Sequence, residues 1–256
     1  MQDLFSLAGR TALVTGGSRG IGRMIAAGFL QAGARVFISA RKAEACHAAA
    51  AELGKLGPCT SLPADVSTRE GQAALVAALA AHTPHLDILV NNAGAAWGAP
   101  FDEFPENGWD KVVDLNLKSP FFLTQALHGM LKAGAARGPV AKVIHIASID
   151  GVSANPLETY SYQASKAGLI HLTKRMAIQL APERIAVSAI APGAFASEMN
   201  RAARDYADQV IKHVPAGRIG TDEDMAGAAI YLASRAGDYV VGSTLVVDGG
   251  VTFARG

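Results

Sequence analysis

Two patterns in the chain have the residue types and spacing that proton transfer and phosphate binding require. The first is Tyr162-x-x-x-Lys166. A phenol with an ordinary pKa near 10 exchanges protons poorly at neutral pH unless neighbouring positive charge favours its phenolate. On a helix, positions four apart lie one turn apart on one face, so Tyr162 and Lys166 can address one bound molecule together. The second is Thr15-Gly16-Gly17-Ser18-Arg19-Gly20-Ile21-Gly22, which follows the apolar run ending in Ala12-Leu13-Val14 and opens a helical stretch. Glycines there let the turn tighten and the backbone approach a pyrophosphate, whose charge is met by the free N–H groups and dipole of a helix N-terminus. Each pattern also has a plain structural counterpart: an aromatic residue above a surface lysine, and a tight strand-to-helix turn with no ligand.

The elements that must position these groups are written as apolar runs. Thr11–Val14, Arg35–Ser39, Ile88–Val90, Lys142–Ile146, Ile185–Ile190 and Thr244–Val247 are rich in Val and Ile and too short for helices, which predicts six strands. A weaker seventh lies near Pro58–Pro63, flanked by its own prolines. Between them, Gly22–Gln31, Ala43–Leu53, Glu70–Ala81, Tyr162–Leu180 and Asp222–Ala233 have helical spacing. Continuous apolar strands alternating with helices predict an α/β fold: one doubly wound, Rossmann-like domain over residues 1–256, its seven-stranded parallel sheet covered by helices on both faces. The least regular stretch, Gly193–Gly220, is read as a cap at about 194–220 or as a surface crossover.

Composition narrows the function classes. Half of the 256 residues are hydrophobic and 18% are charged, the signature of a well-packed globular protein. Lys plus Arg is 23 and Asp plus Glu 22, so a net charge of +1 offers no general field for nucleic acid or an anionic membrane. No apolar run approaches the roughly 18 residues of a membrane span, and Met1–Gly9 lacks the basic start and apolar stretch of a signal peptide, so a cytoplasmic location is expected. Cys46 and Cys59 read as packing thiols. His82 and His85 are separated by Pro84, and no carboxylate motif joins them, so no metal site is expected.

The glycine turn has the spacing Gly-x-x-x-Gly-x-Gly, and further motifs follow in order: Asn91-Asn92-Ala93-Gly94 after the strand at 88–90, Asn116 in Asp114-Leu115-Asn116-Leu117, Ser148 after the strand at 142–146, Tyr162 and Lys166, Pro192-Gly193, and Asp248-Gly249-Gly250. In this order they resemble the short-chain dehydrogenase/reductase family over nearly the whole chain. Within it, Phe5-Ser6-Leu7-Ala8-Gly9-Arg10 and Ala34–Arg41 are similar to bacterial NADPH-dependent 3-oxoacyl reductases, including the rhamnolipid-associated kind.

The resemblance implies a catalytic set of Asn116, Ser148, Tyr162 and Lys166. Tyr162 would be the general acid toward a carbonyl oxygen, and Lys166 would lower the phenol's pKa and hold the nicotinamide ribose. Ser148 would orient the carbonyl, and Asn116 would support a water link of a proton relay. It implies cofactor contacts at Gly16, Ser18, Arg19, Gly20, Ile21, Gly22, Arg41, Asp65, Val66, Asn92, Ala93, Gly94, Tyr162, Lys166, Pro192, Gly193, Phe195 and Ser197, with Asp65-Val66 at the adenine and Asn92 along the cofactor's middle. Beside the adenosine ribose the chain reads Phe37-Ile38-Ser39-Ala40-Arg41-Lys42, with no acid until Glu44. Arg19 and Arg41 there suit a 2′-phosphate, so NADP(H) is the expected cofactor; in the alternative, Arg41 and Lys42 are the solvated first turn of the next helix.

Three departures stand out: Ser148 and Tyr162 are 14 residues apart, about one more than is common in the family, Ser188 replaces a frequent Asn, and Ser197 a frequent Thr. Tyr160 competes for the motif, but its i+4 partner is Ala164. The expected reaction is reduction of a ketone, foremost a 3-oxoacyl thioester on acyl carrier protein or CoA. A sugar, steroid or small-ketone reductase and a non-catalytic NADP(H) sensor are the alternatives. The candidate pocket lining, Trp97, Val152, Leu157, Phe195 and Met199, is largely apolar, and Arg201, Arg204, Lys212 and Arg218 interleave with Glu198, Asp205 and Asp208. A homotetramer or homodimer is implied by analogy.

Overall fold

The computed structural model describes residues 4–198 and 200–254; Met199 of the expected lining lies outside them. The strands are β1 (Thr11–Thr15), β2 (Arg35–Ser39), β3 (Cys59–Ser61), β4 (Ile88–Asn91), β5 (Ala141–Ile146), β6 (Ile185–Pro192) and β7 (Thr244–Val247). The helices are α1 (Gly20–Gln31), α2 (Ala43–Leu53), α3 (Arg69–Ala80), α4 (Glu106–Val113), α5 (Ser119–Ala126), α6 (His128–Ala136), α7 (Tyr160–Leu180), α8 (Arg201–Asp205), α9 (Ala207–Val210) and α10 (Asp222–Ala233).

All seven strands pair in parallel, in the order β3-β2-β1-β4-β5-β6-β7. Successive strand residues serve opposite faces. Ala12 and Val14 pack with Ile25, Phe29 and Met225 of α1 and α10, whereas Leu13 packs with Leu75, Leu123 and Val187 on the other face. Burial on both faces explains why these strands read as unbroken apolar runs. The weak seventh strand exists as three residues at the sheet edge, with Pro58 and Pro63 just outside its ladder.

The sequence reading missed the helices between 106 and 136. A π-helical turn, Asp114–Lys118, joins α4 to α5. The stretch expected as a cap holds only α8, α9 and a 3-10 turn, anchored by buried Ala203 and Val214.

The connection from β3 to β4 crosses β1, so β1 and β4 are neighbours whose successors diverge. A crevice opens outside the carboxyl ends of such a pair. The register Val14↔Val90 brings Thr15-Gly16 beside Asn91-Asn92 at that point.

Candidate active site

The glycine turn is locked by close packing. Gly16 and Gly20 have φ of +66° and +52°, the left-handed region that glycine tolerates. A Cβ on Gly22 would stand 2.4 Å from both Asn92 Nδ2 and Gly16 O, and one on Gly16 would stand 2.7 Å from the same amide. Asn92 Nδ2 donates to Thr15 O at 2.8 Å and to Gly16 O at 3.3 Å. Thr15 Oγ1 accepts the backbone N–H groups of Asn92 and Ala93, each at 3.0 Å. Asn92 was expected along the cofactor's middle; its side chain instead sits under the turn and holds its shape. Thr15, absent from the expected site, is the second half of that clamp.

At the helix end that follows, Arg19 stands at the N-cap without a side-chain capping bond, and the first turn carries no acid. Its N–H groups are therefore left for an anion, while Gly16, Gly20 and Gly22 keep side chains out of the cradle. Arg19 and Arg41 are exposed, and among the described residues neither side chain is tied to a protein acceptor. Both are available to a phosphate. Ser18 and Ile21 are half-buried in the same turn, and Gly20 approaches Ser197, 3.2 Å from the Ser197 Cβ to a Cβ built on the glycine.

The remaining expected contacts divide into open and occupied groups. Asp65 folds its carboxylate onto Ser67, with Oδ1 3.0 Å from the Ser67 N–H and 2.6 Å from its hydroxyl. Val66 is buried, and its carbonyl accepts Ser119 Oγ at 2.7 Å and Gln72 Nε2 at 2.8 Å. Gly193 follows Pro192 at the end of β6 and packs against Asp248, 2.6 Å from its Cβ to a built one. Phe195 is 2% exposed, and its ring lies in the core against Gly220. Its side chain therefore cannot line the pocket, because an apolar ring gains more from the core than from the rim.

Asn116 sits in the π-helical turn, a distortion that turns one side chain out of the α-helical repeat. Its Oδ1 accepts Ala95 N at 2.8 Å, and Nδ2 donates to Ala95 O at 2.9 Å and Ser165 Oγ at 3.1 Å. A Cβ on Gly94 would lie 3.2 Å from Asn116 Oδ1 and 3.8 Å from Lys166 Nζ, so these groups share one corner. Ser148 follows β5 and opens a 3-10 turn, Ile149–Gly151, where its Oγ accepts Asp150 N at 3.1 Å and its hydroxyl stands close enough to the Tyr162 phenol to favour the phenolate. Lys166 is buried, with Nζ 2.7 Å from Ile146 O and 5.6 Å from the Tyr162 ring centroid. Tyr160 instead packs edge-on against Phe101 and Phe104, each centroid 5.6 Å away.

Burial pushes the Tyr162 phenol up to about 12, the Asp150 charge adding to it and the Ser148 hydroxyl opposing it. Burial also brings Lys166 down to about 8, against the attraction of Asp150. Burial is thus the largest influence on both groups, and the Lys166 ammonium is committed to Ile146 O. A phenol held protonated can give a proton at neutral pH. It is a poor base there.

On the substrate side, Trp97 lies over Gly108 with Lys111 Nζ 5.1 Å from its ring, and Leu157 is 62% exposed. A cleft of about 310 Å³ is lined by Asn155, Pro156, Leu157, Tyr160 and Gln163. The sequence reading missed Asp150, Asn155 and Gln163. The one available signal was an acid two residues after Ser148. The arginines of the 194–220 stretch are largely neutralised: Arg204 pairs with Glu198 and Asp205, and Arg218 with Asp224. Cys46 and Cys59 are free thiols, with burial pushing Cys59 up to about 11, so neither is an activated nucleophile. Among the described residues no cluster suits a metal ion, and no helix is long and apolar enough to cross a membrane.

The comparisons agree with this geometry. Residues 16–252 match a family model described as Enoyl-(Acyl carrier protein) reductase. A 3-oxoacyl-(acyl-carrier-protein) reductase of rhamnolipids biosynthesis from Pseudomonas aeruginosa is 48% identical over 255 residues, covering 98% of this chain and 99% of the relative. The RhlG/NADP active-site complex from P. aeruginosa superposes with a TM-score of 0.95 at 46% identity, covering 99% of this chain and 100% of the other. A gluconate 5-dehydrogenase from Burkholderia cenocepacia J2315, in complex with NADP and tartrate, gives 0.90 at 38% identity with 98% of each chain covered. With the glycine cradle, the Ser148–Tyr162 pair and Lys166 on one sheet rim, the chain belongs to the short-chain dehydrogenase/reductase family of oxidoreductases.

Proposed function

We propose that this chain is an NADPH-dependent reductase that converts a 3-oxoacyl thioester, on acyl carrier protein or CoA, into the 3-hydroxyacyl thioester. The observation that carries the reading is the grouping of Ser148, Tyr162 and Lys166 at the rim of the sheet, beside a glycine cradle whose Arg19 and Arg41 are unclaimed among the described residues. The glycine turn would hold the pyrophosphate, and the two arginines the 2′-phosphate. When bound, the nicotinamide supplies a hydride to the carbonyl carbon. Ser148 holds the carbonyl oxygen by its hydroxyl, and Tyr162 passes its phenolic proton to that oxygen as negative charge develops there. Lys166, Asn116 and Gly94 form the corner that keeps Tyr162 in place and takes the nicotinamide ribose.

The apolar rim of Phe101, Val152, Leu157 and Tyr160 suits an acyl chain, since a sugar needs a buried polar partner for most hydroxyls it desolvates. The 194–220 stretch would cap it. The two P. aeruginosa relatives support the same reading. A sugar reductase is the second reading, favoured by the polar groups of Asp150, Asn155 and Gln163 beside Ser148, which suit sugar hydroxyls, and by the gluconate 5-dehydrogenase relative. A sensor without chemistry has no call on Ser148, Tyr162, Lys166 and Asn116 together. We also infer a cytoplasmic location, where reduced NADP is available, and a homodimer or homotetramer, whose interfaces would cover exposed Ile178, Tyr239 and Phe253.

An NADPH-oxidation screen over 3-oxoacyl thioesters, keto sugars, steroids and simple ketones tests the reading. Thioesters are expected to have the highest kcat/KM. Faster turnover of any sugar would put the second reading first, and light scattering on a sizing column reads the oligomer.

A further inference from the structure

The acid beside Ser148 is hydrogen-bonded to neither Tyr162 nor Lys166 among the described residues, yet it is held with care. The Asp150 N–H donates to Ser148 Oγ at 3.1 Å, so its carboxylate stands two residues from the hydroxyl that holds the carbonyl. Asp150 Oδ1 accepts Asn155 Nδ2 at 2.7 Å. Asn155 Oδ1 in turn accepts Leu157 N at 2.9 Å and Gln163 Nε2 at 3.3 Å, and Gln163 adjoins Tyr162 on α7. On the other side, Gly151 presses on the α7 backbone, where a Cβ would fall 2.5 Å from Lys166 C. The carboxylate is thus pinned between the Ser148 turn and the cleft lined by Asn155, Leu157 and Gln163. Among the described residues no Lys or Arg forms an ion pair with it. Lys166, the cation that feels its charge, is spent on Ile146 O.

A fixed, half-buried negative charge with no paired cation repels a second one more strongly than it would in bulk water, by a factor set by the lower local dielectric. We propose that Asp150 is a specificity-determining residue that keeps carboxylate-bearing ketones away from the Ser148–Tyr162 pair, so that the site takes neutral 3-oxo esters and thioesters and rejects 3-oxo acids and keto-sugar acids. This rests on the reductase reading of the same site.

A matched pair of substrates isolates the charge: ethyl 3-oxobutanoate and 3-oxobutanoate carry the same ketone. With NADPH at pH 8, where carboxylates are ionised, the wild type is expected to favour the ester. Asp150→Asn keeps an acceptor for Asn155 but removes the charge; it should reduce the ester-to-acid ratio of kcat/KM by about 10- to 50-fold. The change should lie in the KM of the acid, with the ester altered by less than about threefold. Asn155→Ala, which frees the carboxylate but keeps it, should leave most of the preference in place. An unchanged ratio in Asp150→Asn, or equal losses on ester and acid, would overturn the inference. Should neither ketone be reduced, calorimetric titration of the NADP⁺-loaded protein with 3-hydroxybutanoate and its ethyl ester reads the same ratio as Kd. A shift there upholds the charge filter while the reductase reading falls, and no shift ends the filter as well.

Discussion

The two halves of the site are built by different means. Around the glycine turn, shape comes from backbone contacts that leave no room: Asn92 and Thr15 stitch β1 to β4, and Gly16 and Gly22 exclude any side chain by tenths of an ångström. On the substrate side, exposed Leu157 and Val152 stand on a loop held mainly by the Asp150–Asn155–Gln163 hydrogen bonds. The first half can vary little without losing its ligand. The second can change its side chains freely, which is how one scaffold serves thioesters in one relative and gluconate in another.

The sharpest way to break the comparison is at the group the two halves share. Tyr162→Phe removes the proton donor and keeps the ring, so turnover should fall by about 100-fold or more, as for loss of a general acid, with NADPH affinity and melting temperature nearly unchanged. Tyr160→Phe should do far less, because Tyr160 contributes its ring to Phe101 and Phe104. Steady-state kinetics of both variants decide it; the reverse pattern would move the motif by two residues.

Next in size is the cofactor half. Arg41 is exposed and tied to no partner among the described residues, so Arg41→Asp should leave stability alone. It should cost about 2–4 kcal/mol of preference for NADPH over NADH, roughly 30- to 1000-fold in the ratio of kcat/KM. Equal use of the two cofactors by the wild type would refute the assignment.

A pH measurement probes the corner between the halves. Lys166 is about 8 in the folded protein and 10.5 when unfolded, so between these values the unfolded chain holds more protons and stability rises with pH. Tyr162 begins to oppose this only above its unfolded value near 10, since the folded phenol keeps its proton to about 12. From pH 8 to 10, therefore, the cofactor-free wild type should gain about 2–3 kcal/mol relative to Lys166→Met. Urea unfolding of both proteins at the two pH values gives the difference. No relative gain would mean that the ammonium is better solvated than its burial implies.

These two halves also differ in how far they could be read without a structure. The cradle was legible because glycine spacing after a strand has few uses, and so was the seven-stranded parallel sheet, since apolar runs buried on both faces must lie in a covered sheet; the strand order was not. The helices from 106 to 136 were not. Pro105, Gly108, Pro120 and Gly134 are residues that interrupt a helical pattern, yet Pro120 sits in the first turn of α5, where a missing N–H costs nothing, and Gly134 lets α6 pack where any Cβ would fall 2.2 Å from Leu86 O. The electrostatics of Tyr162 were not legible for a related reason: residue spacing reports that Lys166 is near, but not that Lys166 is buried, that Tyr162 is half-buried or that Asp150 stands beside them. Phe195 likewise looked like pocket lining until its ring was found beneath Gly220.

The smallest effect tests the looser half directly. Phe101, Val152 and Leu157 expose apolar surface at the rim, and the cleft beside Tyr160 continues it. Each methylene of a 3-oxoacyl thioester that leaves water for this surface should add up to about 0.8 kcal/mol, roughly fourfold in kcat/KM, until the groove is full. The gain should appear in KM more than in kcat, because the chain binds ground state and transition state alike. Leu157→Ser should flatten the slope for the longer chains and leave the shortest substrate untouched, since the shortest reaches Ser148 and Tyr162 without crossing the rim. A series of chain lengths assayed by NADPH oxidation with both proteins reads this. If the profile is flat in the wild type, the acyl chain lies in solvent and the apolar rim serves some other purpose; if Leu157→Ser lowers every length equally, the loop supports the catalytic turn rather than the substrate.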